Sequence, residues 1–226
     1  MLSIQELLPH IELLESGDRL IVPPVSRPYS VVSVGADSGH ANPRRSAHAR
    51  LIRVAWVSMT CSEHSQVVCG SEAILVGPGE DREAARMAFS MERAGELLEA
   101  HPPGTVALLG GPMPAIDAAS DELANVLLEA LARARAAGAT IVGYVPHPCP
   151  SLFEGWLRPG ERSPWSRNSE LLFCYVNVGE AVLRLEAYEI PRGQHDQVVA
   201  IAVAQFHAGF PRLSRMTDAR PALTAH

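Results

Sequence analysis

Two short apolar runs, TVALLGG from Thr105 to Gly111 and TIVGYV from Thr140 to Val145, flank a helical stretch from about Ile116 to Ala136. Neither run alternates polar with apolar residues, so each reads as a strand buried on both faces. A strand, a helix and a second such strand in succession imply a right-handed parallel crossover. That unit commits the chain to an α/β fold with helices packed on a sheet. Gly138 stands just past the helix, where a left-handed cap is wanted. Pro146, Pro148 and Pro150 break the second strand. Hydrophobic residues make up 47% of the chain and aromatics only 5%, so the core is built from Ala, Val, Leu and Ile.

The 226 residues fit one domain spanning 1–226, with residues 1–28 as an N-terminal helix and Pro-rich lead-in. Ser3 opens the helix, and Leu7, Ile11 and Leu14 recur near helical spacing. VVSVGADSGH, Val31 to His40, reads as a buried strand running into Asp37 and then a Ser-Gly turn. ARLIRVAWVSMTC reads as a second strand paired with it, and SEAILVG, Ser71 to Gly77, as a third. Asp81 begins a helix that ends before His101. Ser151 to Asn168 has no clear period and reads as a loop or short helical flap. LLFCYVNV and AVLRLEAYEI read as a hairpin, and Gln194 to His207 as a last helix.

Several classes are excluded. No run of about 18 apolar residues exists, and the first 20 residues lack a basic start, an apolar centre and a cleavage site, so the expectation is a cytoplasmic protein without a membrane span. Cys61, Cys69, Cys149 and Cys174 form no C-x-x-C pair, which argues against structural zinc and a disulfide framework. A net charge of -6 argues against a protein that coats itself on nucleic acid. One local basic patch, Arg44, Arg45, His48, Arg50 and Arg53, follows Asp37; it is either a nucleic-acid contact or a solvated loop entering a strand.

Asp37, at the carboxyl end of an apolar strand, is the best single candidate for a metal ligand; the other reading of Asp-Ser-Gly is a plain turn. Phosphodiester hydrolysis needs charge stabilised on phosphorus and a hydroxide near neutral pH, and two divalent ions about 4 Å apart supply both. Magnesium and manganese prefer oxygen ligands, so such a site needs several carboxylates.

The order of the elements resembles the ribonuclease H-like layout, a mixed sheet flanked by helices with carboxylates gathered at one edge. Within it, GADSGH resembles the first motif of the NurA family of DNA end-processing nucleases, with Asp37 in the acidic position and Ser38-Gly39 transposed. FSMERAGELLEA is similar to the family's helix and puts Glu92 at its glutamate. VALLGGPMP has the next strand but carries Gly110 where the family has a second aspartate. IVGYVPHPCPSLF matches the tyrosine with Tyr144 and has His147 near a basic position, and GFPRLSRMTDA leads to Asp218. The resemblance implies that Asp37, Glu92 and Asp218 hold Mn2+ or Mg2+, that Tyr144 orients substrate or water, and that Arg44, Arg45, Arg50 and His147 contact DNA. It also implies a homodimer docked on a HerA-type hexameric DNA translocase.

Gly110 opens a second reading, a nuclease-like module that binds DNA or a partner and has lost cleavage; Asp117 is the nearest acid that could substitute. A third reading is a small-molecule enzyme on a doubly wound fold, although no G-x-G-x-x-G, G-x-x-x-x-G-K-[ST] or G-x-S-x-G motif is present.

Overall fold

The computed structural model describes residues 16–40, 50–62, 66–77, 81–116, 119–146 and 156–207. The strands are β1 (Leu20–Ile21), β2 (Tyr29–His40), β3 (Arg50–Cys61), β4 (Gln66–Val76), β5 (Val106–Gly110), β6 (Thr140–Pro146), β7 (Glu161–Arg162), β8 (Ser166–Asn168), β9 (Leu171–Asn177) and β10 (Val182–Ala187). Helices are α1 (Arg82–Glu99), between β4 and β5, α2 (Asp121–Ala136), between β5 and β6, and α3 (His195–His207). The strands form one sheet in the order β1-β7-β9-β10-β6-β5-β2-β3-β4, with β8 paired to β9.

Its centre is the part that positions the candidate site. β2, β3 and β4 form an antiparallel meander, β5 lies parallel to β2, and β6 parallel to β5. The apolar runs of β5 and β6 are buried, as their lack of alternation requires. On one face α1 and α2 cover Val32, Val34, Ala107, Leu109 and Ile141; on the other, α3 covers Val31, Val106, Leu108 and Val142. This is a ribonuclease H-like mixed sheet flanked by helices.

Local chemistry sets the helix ends. Asp81 caps α1 by accepting the N–H groups of Glu83 (2.9 Å) and Ala84 (3.3 Å). Past α2, Gly138 adopts φ +64; its N–H reaches Arg135 O, and the N–H of Ala139 reaches Ala134 O, which makes a Schellman cap. α1 and α2 cross closely at Gly95, where a β-carbon would lie 3.2 Å from Ala130 Cα.

Four expectations are corrected. α2 starts at Asp121 rather than Ile116, because Ser120 is extended and its hydroxyl accepts the N–H of Leu123. Ser38-Gly39 is not a turn: β2 continues to His40 in unbroken register with Arg50–Arg53. β4 begins at Gln66, five residues before Ser71, because β3 offers a partner along its whole length. Within the expected flap, β7 and β8 are strands that depend on the ladder of β9. The N-terminal helix and the Pro148–Pro150 turn lie outside the described residues. No helix among the described residues is long and apolar enough to cross a membrane.

Candidate functional site

The carboxyl ends of the parallel strands β2, β5 and β6 form the rim where ligands bind in sheets of this kind. The last β2–β5 ladder pair is Val34 with Leu109, so Asp37 stands three residues beyond it, paired instead with Arg53 of β3. Gly110 ends β5 and pairs with Tyr144. A β-carbon on Gly110 would lie 3.6 Å from the Tyr144 hydroxyl, an ordinary contact, so the backbone there tolerates a β-carbon. Burial pushes the Tyr144 phenol up to about 12, so it stays protonated at neutral pH.

Beyond Gly110 the chain folds over the sheet. Gly111 has φ +133, which glycine adopts without strain, and the N–H of Met113 donates to Glu186 Oε2 at 2.8 Å. Glu186 is buried on β10, with the Arg184 Nε 2.7 Å from its other oxygen. Burial raises its pKa against the pull of Arg184 and of the Met113 N–H. Glu186 therefore anchors the segment that follows β5.

With Met87, Ser90 and Met91, α1 sends Arg86 to the cleft beside Gly110 and Gly111. Its Nη1 lies 3.5 Å from Ala36 O, and its Nη2 would lie 3.6 Å from a β-carbon on Gly111. Glu83, one turn earlier, accepts from Arg86 Nε at 3.2 and 3.1 Å through its two oxygens and from Nη2 more closely. This bond holds the Glu83 pKa below the usual carboxylate value. The Glu83–Arg86 pair at i,i+3 is legible in the sequence, but its place beside β2 and β5 is not.

Of the expected site residues, Asp37 and Tyr144 come to this rim as backbone positions on β2 and β6. Glu92 does not: it is exposed and lines the groove between α1 and α2 with Val126, Glu129, Ala130 and Arg133. It lies six residues past Arg86, about 9 Å farther along the helix, because α1 turns residues 89, 90, 91, 94 and 98 toward the core and 92 away. Arg50 begins β3 opposite His40. The side chains of Asp37 and Arg50, and all of Arg44, Arg45, His147 and Asp218, lie outside what is described, as does Asp117.

Two divalent ions would need several converging carboxylates. Among the described residues no three His, Cys, Asp or Glu side chains gather to hold a metal. The described rim carries a glycine at the end of β5 and a guanidinium with its own carboxylate partner beside it; the carboxylates of Asp37, Asp117 and Asp218 lie outside what is described.

No family model matches the sequence, and no curated protein sequence does. Solved structures do match by fold. NurA with manganese aligns at a TM-score of 0.50 and 7% identity, covering 98% of this chain and 95% of that one. The NurA nuclease from Sulfolobus solfataricus aligns at 0.46 and 8%, covering 86% and 81%, and the endonuclease V from Bacillus subtilis at 0.45 and 11%, covering 96% and 95%. Identities this low speak to the fold alone. The chain has a ribonuclease H-like fold.

Proposed function

We propose that this chain is a nuclease-fold module that binds nucleic acid at the carboxyl rim of β2, β5 and β6 and has lost two-metal phosphodiester hydrolysis. The observation that carries the reading is Arg86, whose half-buried guanidinium stands between Ala36 and Gly111. Its pairing with Glu83 occupies the nearby carboxylate that a divalent cation would otherwise use, and guanidinium N–H donors match phosphate oxygens. Gly110 supports the same reading, because it removes a carboxylate at the end of β5. DNA is the substrate class that the sequence resemblance favours.

Asp37 supports a second reading, a working Mn2+- or Mg2+-dependent nuclease, because it stands beyond the end of β5 on the strand where the resemblance puts the first acid. One experiment separates the two. Purified wild type, Asp37→Ala and Arg86→Ala are incubated with labelled linear duplex, with and without manganese, and followed by gel cleavage and fluorescence anisotropy. The expected result is binding without cleavage, weakened about tenfold in Arg86→Ala by loss of one charge-assisted contact worth about 1.5 kcal/mol. Manganese-dependent cleavage by wild type but not by Asp37→Ala overturns the binding reading in favour of the nuclease. Absence of both binding and cleavage overturns both.

A further inference from the structure

β4 is the last strand of the sheet on its side, and among the described residues its ladder runs only to β3. It is eleven residues long, with Val67 and Val68 each 62% exposed and Leu75 70% exposed. Natural edges of this length are shortened, bulged or charged to prevent pairing. β4 contains no Pro, Lys or Arg, and its one charge, Glu72, is already paired with Arg93 of α1. At the opposite side the sheet ends in β1, only two residues long.

The sequence of β4, QVVCGSEAILV, is nearly symmetric in character about Ser71. An antiparallel pairing of two identical strands centred there sets Val67 against Leu75, Val68 against Ile74, Cys69 against Ala73 and Gly70 against Glu72. Opposed residues in such a ladder share a face, so a two-fold axis normal to the sheet requires registers centred on a residue. Centring on Glu72 opposes two carboxylates, which is unfavourable. Centring on Gly70 sets Val68 against Glu72 and leaves Leu75 opposite residue 65, outside the strand. Only the Ser71 centre pairs all of Val67, Val68, Ile74 and Leu75 with apolar mates.

We propose that β4 is a homotypic docking edge, on which a second copy of this chain pairs antiparallel about a two-fold axis through Ser71 and joins the two sheets. The occupant is a second copy because the complementarity is of the strand with itself. The inference is independent of the reading of the rim.

The test uses the full chain with Cys69 and Cys149 changed to Ser, carrying either Ser71→Cys or Gln66→Cys, treated with a short bismaleimide. Two copies of residue 71 face each other on the axis, whereas residue 66 lies opposite 76, about 34 Å from its own mate. The expected result is a cross-linked dimer for Ser71→Cys and none for Gln66→Cys. Sedimentation of wild type is expected to show a concentration-dependent dimer, shifted to monomer in Val67→Lys/Leu75→Lys, whose melting temperature matches that of wild type at dilutions where wild type is monomeric, since both side chains are exposed in the single chain. Equal cross-linking at 66 and 71, a wild type monomeric up to about 100 μM, or a dimer that survives the double lysine change overturns the proposal.

Discussion

Replacing Gly143 by alanine tests whether the segment after β5 is held down as tightly as its geometry requires. Gly143 lies in β6 between Leu109 of β5 and Glu186 of β10. A β-carbon there would come 2.8 Å from Gly111 O, 2.9 Å from Met113 N and 3.0 Å from Met113 Cγ. Two of these three atoms are backbone, so no rotamer change relieves the clash, and the segment must lift. Overpacking of this kind costs about 1–3 kcal/mol. Lifting also breaks the Met113 N–H bond to Glu186, and a buried acceptor left short of a donor costs about 1–3 kcal/mol more. Alanine offsets about 0.5–1 kcal/mol through lower backbone entropy in the unfolded chain. The net expectation is a loss of about 1–5 kcal/mol. For a chain of this size it lowers the melting temperature by about 2–20 °C. Thermal unfolding followed by circular dichroism reads the shift directly. A variant that melts at the wild-type temperature or above refutes the close approach, and with it the claim that Glu186 anchors the rim.

Three further outcomes follow from the same structure. Because burial raises the Glu186 pKa, the folded state keeps that proton to higher pH than the unfolded chain. Stability from this group is therefore full below the ordinary value of 4.5 and falls as pH rises from there through the raised folded value. Wild type should lose stability relative to Glu186→Gln across that window in urea titrations, and a flat difference counts against the buried carboxyl. Gly70→Ala would put a β-carbon 2.4 Å from Trp56 Cζ2 and push the indole from beneath Arg93, which sits 4.7 Å from the ring centroid; a changed tryptophan emission and a loss of about 1–3 kcal/mol are expected, and unaltered fluorescence would contradict the packing. In a Cys149→Ser background only Cys69 should react promptly with a thiol reagent, because Cys61 and Cys174 are buried and burial pushes the Cys174 thiol up; two or more fast thiols would be inconsistent with the core.

The amino-acid sequence alone determined whatever depends on neighbours along the chain. The apolar runs of β5 and β6 made a parallel crossover legible, and Asp81 and Gly138 marked helix ends that the structure keeps. Asp37 was legible as the acid of an apolar strand for the same reason. Tertiary structure decided what depends on residues far apart. β7 and β8 exist only because β9 supplies their ladder, so their own residues carry no strand period. Which face of α1 meets the sheet rim is set by packing of Phe89, Met91, Ala94 and Leu98, and that packing brings Arg86 to β2 and turns Glu92 toward α2. Glu186 carries no local signal at all; it meets Met113 only because β10 docks antiparallel on β6. Spacing can nominate acids for a site, but the rotation of one helix and the order of strands choose which charges meet.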